Sequence, residues 1–132
     1  MKAFVIEDNS IDLKLLAALL LSGGHELISF ASAEGALEEI SAQHPDVVLL
    51  DLNLAGKDGL ELARAMRAID DMKSIPVLAI TAYPQLYTTA EIFEAGCSAL
   101  IVKPVDTRSL IGDIQTLCAR TGGRANERPD SR

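Results

Sequence analysis

Residues 47–51 have the sequence VVLLD, in which four apolar residues run directly into a carboxylate. A run that is apolar on both faces predicts a strand with helices packed on both sides, as in the centre of a parallel sheet. In open parallel sheets, ligands bind at the edge formed by the carboxyl ends of the strands. The stretch therefore predicts a central strand of an α/β fold and places Asp51 at the ligand-binding edge.

Three other short apolar runs end in the same way. They occupy residues 3–6, 77–80 and 100–102, and the polar residues that follow them are Glu7 and Asp8, Thr81, and Lys103 before Pro104. If the four strands are parallel, these side chains share one small site with Asp51. Closely packed carboxylates repel one another unless a proton or a cation relieves them, so the cluster predicts a divalent ion. Ligands that are all oxygen suit a hard metal such as Mg2+ (magnesium) better than zinc.

The remaining sequence alternates similar runs with longer segments of helical period, a pattern typical of repeated βα units. We expect five strands, near residues 2–6, 26–30, 46–50, 76–80 and 99–102. We expect five helices, near residues 10–22, 33–42, 59–68, 84–95 and 106–119. The pair Gly23-Gly24 and Gly96 fit the ends of two of these helices, because glycine takes a left-handed cap without steric cost.

The length of 132 residues and the 48% content of hydrophobic residues predict one compact domain over residues 1–120. Residues 121–132 lose all apolar periodicity, so we predict a disordered tail there. No apolar run approaches the roughly 18 residues that span a bilayer. Met1 and Lys2 lead directly into the first strand rather than into a signal peptide. We therefore expect a cytoplasmic protein without membrane contact.

Charge and minor residue types exclude several other classes of site. The formal net charge of -7 argues against binding to the phosphate backbone of a nucleic acid. Cys97 and Cys118 are too few for a disulfide framework and lack metal-ligand spacing, so we expect buried free thiols. His25 and His44 are isolated and are expected in surface or loop roles.

The four motifs together resemble those of the response-regulator receiver domain, the phosphoryl-accepting half of two-component signalling. The resemblance covers residues 1 to about 120 and rests on VIEDN at 5–9, VVLLDLNLAGKDG at 47–59, AITA at 79–82 and IVKP at 101–104. It implies a flavodoxin-like, doubly wound (βα)5 fold with a five-stranded parallel sheet in the order 2-1-3-4-5. It also implies a single-domain signalling switch rather than an enzyme.

The resemblance assigns a role to each residue of the cluster. It makes Asp51 the nucleophile that takes a phosphoryl group from a histidine kinase or a histidine phosphotransfer protein. Glu7 and Asp8 then hold Mg2+ with Asp51, Asn53 supplies a backbone carbonyl ligand, and Thr81 and Lys103 bind the oxygens of the aspartyl phosphate. The family commonly has a cis bond before Pro104. Output would pass to a downstream protein through the fourth helix, fifth strand and fifth helix.

Transfer of a phosphoryl group to a carboxylate requires these residue types, independently of the resemblance to the family. A carboxylate attacks phosphorus when its charge and that of the donor are partly neutralised, which a metal and an ammonium can do from opposite sides. The phosphorylated residue gains negative charge and three acceptor oxygens, and a hydroxyl and an ammonium are suitable partners for them.

Each polar residue also has an ordinary structural interpretation. Asp8 or Ser10 can cap the first helix, and Asp58 fits the cap of the third. The acceptor, the threonine and the lysine, taken singly, fit loop or surface positions. Their joint occurrence after four strands favours the functional interpretation.

Three positions depart from the family pattern. Ala55 stands where the loop after the acceptor usually carries a proline, and Leu100 stands where many members carry an aromatic ring that swings inward. Tyr83 is a bulky ring two residues after Thr81, and we expect it partly to roof the site. Transmission would then rely on the loop after Thr81, on backbone shifts, or on Tyr83 and Tyr87.

Other functions remain as alternatives to the phosphorylation switch. One is a receiver-like module that binds partners without phosphorylation. An aspartyl-phosphate phosphatase of the haloacid dehalogenase type resembles D-x-D, but Asn53 cannot donate a proton as the second aspartate does. A flavin carrier of flavodoxin type lacks support, because EDNS replaces a phosphate-binding loop rich in Ser and Thr.

The first predicted helix carries two apolar stripes. Leu13, Leu16 and Leu20 form one at helical spacing, and Ile11, Leu15 and Leu19 form the other. A broad contact with the sheet can account for both stripes. Alternatively, Ile11 and Leu15, nearest the acidic residues, dock the helix of the phosphodonor.

Overall fold

The computed structural model describes residues 1–54 and 59–122 and consists of five βα units. The strands are β1 (Lys2–Ile6), β2 (Glu26–Phe30), β3 (Val47–Asp51), β4 (Val77–Thr81) and β5 (Ala99–Val102). The α-helices are α1 (Ser10–Ser22), α2 (Ala36–Gln43), α3 (Leu60–Arg67), α4 (Thr89–Glu94) and α5 (Leu110–Gly122). Short 3-10 helices lie at Asp70–Met72 and Pro84–Leu86.

All five strands are parallel, in the order β2-β1-β3-β4-β5. Leu49 in β3 lies opposite Val5 in β1 and Leu78 in β4, which fixes the register at the centre of the sheet. Every residue of β3 and β4 is buried, as their apolar sequences require of strands covered on both faces. The predicted doubly wound fold and strand order are confirmed.

Two hydrophobic layers flank the sheet, because alternate residues of each strand point to opposite faces. One layer packs Ala3, Val5 and Leu49 against α1 and α5, and the other packs Phe4, Ile6 and Leu50 against α2, α3 and α4. Two helices on one face and three on the other is the expected arrangement. The layers hold the strands in place and leave the carboxyl edge to the connecting loops.

The strands agree with prediction within one residue, whereas three helices begin late. The α2, α4 and α5 helices start at Ala36, Thr89 and Leu110. Pro84 opens a 3-10 turn instead of α4, and α4 begins only after Thr88, which forms a reciprocal capping box with Glu91.

The first helix is capped by a residue that we did not single out. Asn9, rather than Asp8 or Ser10, accepts hydrogen bonds from the backbone N–H groups of Ile11 and Asp12. Along the helix, Leu16 and Leu20 are buried, while Leu13 and Leu19 are partly buried against the same layer.

The helix-ending glycines behave as predicted. Gly24 and Gly96 have φ angles of 83° and 106° after α1 and α4. Glycine takes such positive angles without the steric penalty that a side chain would bring.

Arg67 joins several segments at the amino edge of the sheet. Its guanidinium donates hydrogen bonds of 2.7 to 3.0 Å to the carbonyl groups of Met72, Ile75 and Gly96. These carbonyls belong to the first 3-10 helix, the approach to β4 and the turn after α4. One side chain therefore connects α3 to three neighbouring segments.

Some sequence assignments fall outside the described residues. Ala55, Asp58 and most of the predicted tail, residues 123–132, are among them. Helix α5 includes residues 121 and 122. Within the described ranges, no helix is long and apolar enough to cross a membrane.

The cysteines and histidines take mostly the expected positions. Both cysteines are free thiols; Cys97 is buried as predicted, but Cys118 is only partly buried. His25 lies with its Nδ1 atom 3.1 Å from the amino group of Met1, and His44 ends α2.

Candidate functional site at the carboxyl edge of the sheet

The parallel strands deliver four predicted residues to one cleft. Asp51 and Thr81 end β3 and β4, and Glu7 and Lys103 directly follow β1 and β5. The cleft has a volume of about 190 Å³, and its lining consists of Asp8, Asn9, Asp12, Asp51, Asn53, Ala82, Tyr83 and Lys103. Within the described part of the chain, the buried polar or charged residues are Glu7, Asp51 and Thr81. These buried polar residues therefore lie at the edge of the sheet that the sequence predicts as the functional site.

Asp51 is held by its neighbours in a fixed orientation. Its Oδ1 atom accepts a hydrogen bond of 2.9 Å from the backbone N–H of Asn53, and its Oδ2 atom lies 3.2 Å from Lys103 Nζ. Gly59 packs on the backbone behind it, since a Cβ atom there would lie 2.7 Å from the Asp51 carbonyl oxygen and from Leu52 Cα. The residue as a whole is 5% exposed in the lining of the cleft.

Lys103 is surrounded by three carboxylates. Its Nζ atom lies 2.7 Å from Asp12 Oδ2, 3.1 Å from Glu7 Oε1 and 3.2 Å from Asp51 Oδ2. Sequence reasoning missed Asp12, which lies in the first turn of α1. A signal was present, because Asp12 lies in the first turn of the helix predicted at residues 10–22, just after the acidic pair that follows the first strand.

The charges of the cleft shift two pKa values. Burial alone would lower the pKa of Lys103, but the hydrogen bond to Asp12 and the charges of Asp51 and Glu7 outweigh burial and raise it. Burial, a hydrogen bond that protonated Glu7 can donate to the Asp51 carboxylate, and the charge of Asp51 raise the pKa of Glu7 to about 7. The lysine therefore stays charged, whereas Glu7 takes up a proton more readily than an ordinary glutamate does.

The acidic group fits a hard divalent cation. Glu7, Asp8 and Asp51 each offer an oxygen, and these atoms all lie within 4.8 Å of one another. Glu7 Oε1 is buried without a hydrogen-bond partner, although Lys103 Nζ lies 3.1 Å from it. Oxygen ligands and an incompletely satisfied carboxylate match Mg2+, which takes few carboxylates and keeps several waters.

Thr81 is engaged with both sides of the cleft. Its hydroxyl donates a 2.9 Å hydrogen bond to Asn53 Oδ1 and accepts one of 3.0 Å from the backbone N–H of Tyr83. The sequence assigned Asn53 a backbone role only, so this side-chain contact is an additional function of the residue. A new partner for the Thr81 hydroxyl must therefore displace Asn53.

The tyrosines after Thr81 occupy different environments. Tyr83 is 52% exposed and is one of the residues that line the cleft. Tyr87 packs against the core, and its hydroxyl lies 3.5 Å from the carbonyl oxygen of Leu52. Leu100, at the position of the missing aromatic residue, packs against the same layer.

Comparison with known proteins yields one consistent family. Residues 3–115 match the model of the response regulator receiver domain. The chain is 32% identical over 112 residues to the polar-differentiation response regulator DivK of Brucella ovis, covering 85% of this chain and 91% of that protein.

Solved structures agree with this result. A response-regulator structure from Chloroflexus aurantiacus superposes with a TM-score of 0.83 at 28% identity, covering 90% of this chain and 98% of that one. The receiver domain of a sensor histidine kinase of Pseudomonas aeruginosa gives a TM-score of 0.80 at 26% identity, covering 89% and 97%. That domain has a magnesium ion coordinated in its active-site cleft. The match over most of the chain, together with the cleft that the strands build, means that this chain belongs to the response regulator receiver domain family.

Proposed function

We propose that the protein is a phosphorylation switch in which Asp51 accepts a phosphoryl group from a histidine of a kinase or phosphotransfer protein. The observation that carries the proposal is the position of Asp51. Its carboxylate lies at the end of β3, 3.2 Å from the Lys103 ammonium and grouped with the oxygens of Glu7 and Asp8. Phosphoryl transfer depends mainly on positioning and on electrostatic stabilisation, and this cleft supplies both.

The proposed reaction needs no further nucleophile. A carboxylate oxygen of Asp51 attacks phosphorus, the bond from phosphorus to the donor nitrogen breaks, and the imidazole leaves with the electron pair. Lys103 then binds an oxygen of the transferred group. The Thr81 hydroxyl gives up its hydrogen bond to Asn53 and donates to another oxygen of that group. The phosphoryl group brings negative charge and acceptor oxygens that suit these two donors.

We further propose that Mg2+ is the cofactor of this step. Asp8, Asp51 and the backbone carbonyl of Asn53 would hold the ion, with Glu7 behind them. The magnesium in the cleft of the similar Pseudomonas domain supports this assignment. When bound, the ion neutralises charge on donor and acceptor.

We infer that the protein is a phosphoryl acceptor rather than an enzyme, with slow hydrolysis of its own phosphate at most. A phosphatase of the haloacid dehalogenase type needs a general acid two residues after its nucleophile. Asn53 has no such proton to give, and its Oδ1 atom already accepts from Thr81. An assay with a nonspecific phosphate ester tests this, and turnover would refute it.

Two exposed surfaces are proposed for partners. Ile11 and Leu15 are exposed on α1 near the cleft, where they would dock the helix that carries the donor histidine. Phe93 and Val102 are exposed on α4 and β5, and this side would contact a downstream protein. Phosphorylation would shift an existing conformational equilibrium that the downstream protein reads.

Incubation with acetyl phosphate and Mg2+ tests the proposed function. We expect intact-protein mass spectrometry to detect one added phosphate, and Asp51→Asn to abolish it. Asp71→Asn is the matched control, because Asp71 is an exposed aspartate in the 3-10 helix at Asp70–Met72. Labelling that persists in Asp51→Asn would reject the assignment of the acceptor. An unlabelled wild-type protein would favour the receiver-like module that binds partners without phosphorylation.

A further inference from the structure

The Lys103 ammonium has no donor to spare in this state. An ammonium carries three N–H donors, and Lys103 Nζ donates to three carboxylates, at 2.7 Å to Asp12 Oδ2, 3.2 Å to Asp51 Oδ2 and 3.4 Å to Glu7 Oε2. The shortest contact is the one to Asp12, at 2.7 Å. A phosphoryl oxygen can therefore bind Lys103 only if one of the existing contacts is given up.

The three carboxylates differ in how easily they lose the ammonium. The Glu7 and Asp51 side chains are 1% and 6% exposed, whereas that of Asp12 is 36% exposed. A buried carboxylate that loses its cation stays desolvated, which is costly. Asp12, at the mouth of the cleft, gains water in place of the lysine. Release of Asp12 is consequently the least costly exchange.

We propose that Asp12 is a positioning residue that holds Lys103 toward α1 in the unphosphorylated protein and competes with the phosphoryl group for its ammonium. This inference rests on the proposed function, because it concerns the same site. Asp12 thereby sets how readily the cleft accepts a tetrahedral anion on Asp51, without touching that anion itself.

Affinity for beryllofluoride, a mimic of the phosphoryl group on aspartate, measures the competition at a fixed Mg2+ concentration. We expect Asp12→Asn to bind beryllofluoride about three- to fivefold more tightly than the wild type, the change that loss of a partly exposed ion pair corresponds to. Asp12→Glu, which restores the carboxylate, should return the affinity toward the wild-type value. Glu34→Gln is the matched control, since Glu34 is an exposed carboxylate in the loop after β2, at the same edge of the sheet.

A double-mutant cycle with Lys103→Met separates competition for the lysine from a general change of charge. If Asp12 acts through Lys103, Asp12→Asn should have no effect on beryllofluoride affinity once the ammonium is gone. The Lys103 side-chain NMR signal gives a second readout. Its chemical shift should change in Asp12→Asn, and binding of beryllofluoride to the wild type should change it in the same direction.

The outcomes are distinct. Three results would overturn this inference and leave the proposed function standing, provided that the wild type binds beryllofluoride and is phosphorylated. They are binding of beryllofluoride to Asp12→Asn that is no tighter than binding to the wild type, an equal gain of affinity in Glu34→Gln, and a gain that persists in the Lys103→Met background. A wild-type protein that does neither overturns the proposed function and this inference with it.

Discussion

Glu7 and Asp8 are adjacent in the chain but face different surroundings. Glu7 is 2% exposed and contacts Lys103 and the backbone N–H of Asn9, whereas Asp8 is exposed in the lining of the cleft. A metal that keeps most of its waters binds through the more accessible carboxylate. The two residues should therefore contribute unequally to metal binding.

Asp8→Ala is expected to weaken Mg2+ binding more than Glu7→Gln does. Residues that act behind the direct ligands typically change metal affinity by about 10- to 100-fold, and Glu7→Gln should lie near the lower end. A magnesium titration of both variants, followed by tyrosine fluorescence or NMR, measures the difference. Equal losses of affinity would contradict this ranking.

Tyr83 is expected to lengthen the life of the phosphorylated state. The hydrolytic water must approach phosphorus opposite the Asp51 oxygen, and Tyr83 is one of the residues that line the cleft. Tyr83→Ala should speed dephosphorylation several-fold when no partner is present, and each factor of ten corresponds to about 1.36 kcal/mol in the barrier.

Tyr83→Phe keeps the ring and is the matched control, so its decay should equal that of the wild type. The alternative is that the half-exposed ring serves as a contact for a partner, as tyrosine often does at interfaces. An unchanged decay rate in Tyr83→Ala would favour that alternative and refute shielding.

At the scale of elements, one face of α1 packs in the core and another face is exposed. Leu20 is fully buried against the sheet, whereas Ile11 is 76% exposed near the cleft. Leu20→Ala should lower the free energy of unfolding by about 2 to 5 kcal/mol through the cavity it leaves. Ile11→Ala should change it by less than about 0.5 kcal/mol. Denaturant unfolding of the two variants gives both values.

The same pair of variants also tests the docking role of α1. Ile11→Ala should slow phosphotransfer from a cognate histidine protein while labelling by acetyl phosphate stays at the wild-type rate. An unchanged rate from the histidine protein would refute docking through Ile11.

The sequence predicted strands better than helix starts, for a physical reason. Runs such as VVLL in β3 are apolar on both faces and have few alternatives to a buried parallel strand. The starts of α2, α4 and α5 depend on turns and caps instead. Gly35 has a left-handed conformation before α2, and the capping box of Thr88 sets the start of α4. Periodicity alone does not reveal such local hydrogen bonds.

The candidate site was predictable where strand ends fix residues, and less so where helices contribute. Asp51, Thr81 and Lys103 follow from the parallel sheet and reach one cleft. Asp12 and the side chain of Asn53 enter it from a helix turn and a loop. Their contacts depend on side-chain direction, which the spacing of apolar residues does not encode.

At the scale of the whole molecule, Arg67 stabilises the edge opposite the cleft. Its hydrogen bonds satisfy carbonyl groups from three segments that come together only in the folded chain. A hydrogen bond to a charged group contributes about 1.5 to 3 kcal/mol, so Arg67→Ala should lower the free energy of unfolding by at least about 3 kcal/mol.

Lys73→Ala serves as the comparison for Arg67→Ala. Lys73 forms a 2.9 Å ion pair with Asp70 on an exposed surface, and such pairs contribute at most about 1 kcal/mol. Thermal or urea unfolding of both variants provides the measurement. Similar losses in the two would show that Arg67 does not hold the segments together.

The tight packing of Gly59 sets a rule for anyone who redesigns this protein. Its N–H donates to the Leu52 carbonyl at 3.1 Å, and a side chain there would collide with the backbone that carries the acceptor. A grafted segment must keep Asn53, which accepts the hydrogen bond of the Thr81 hydroxyl, and it must return to the scaffold through glycine at position 59. The residue at which the grafted segment ends therefore decides whether the Asp51 carboxylate keeps its position.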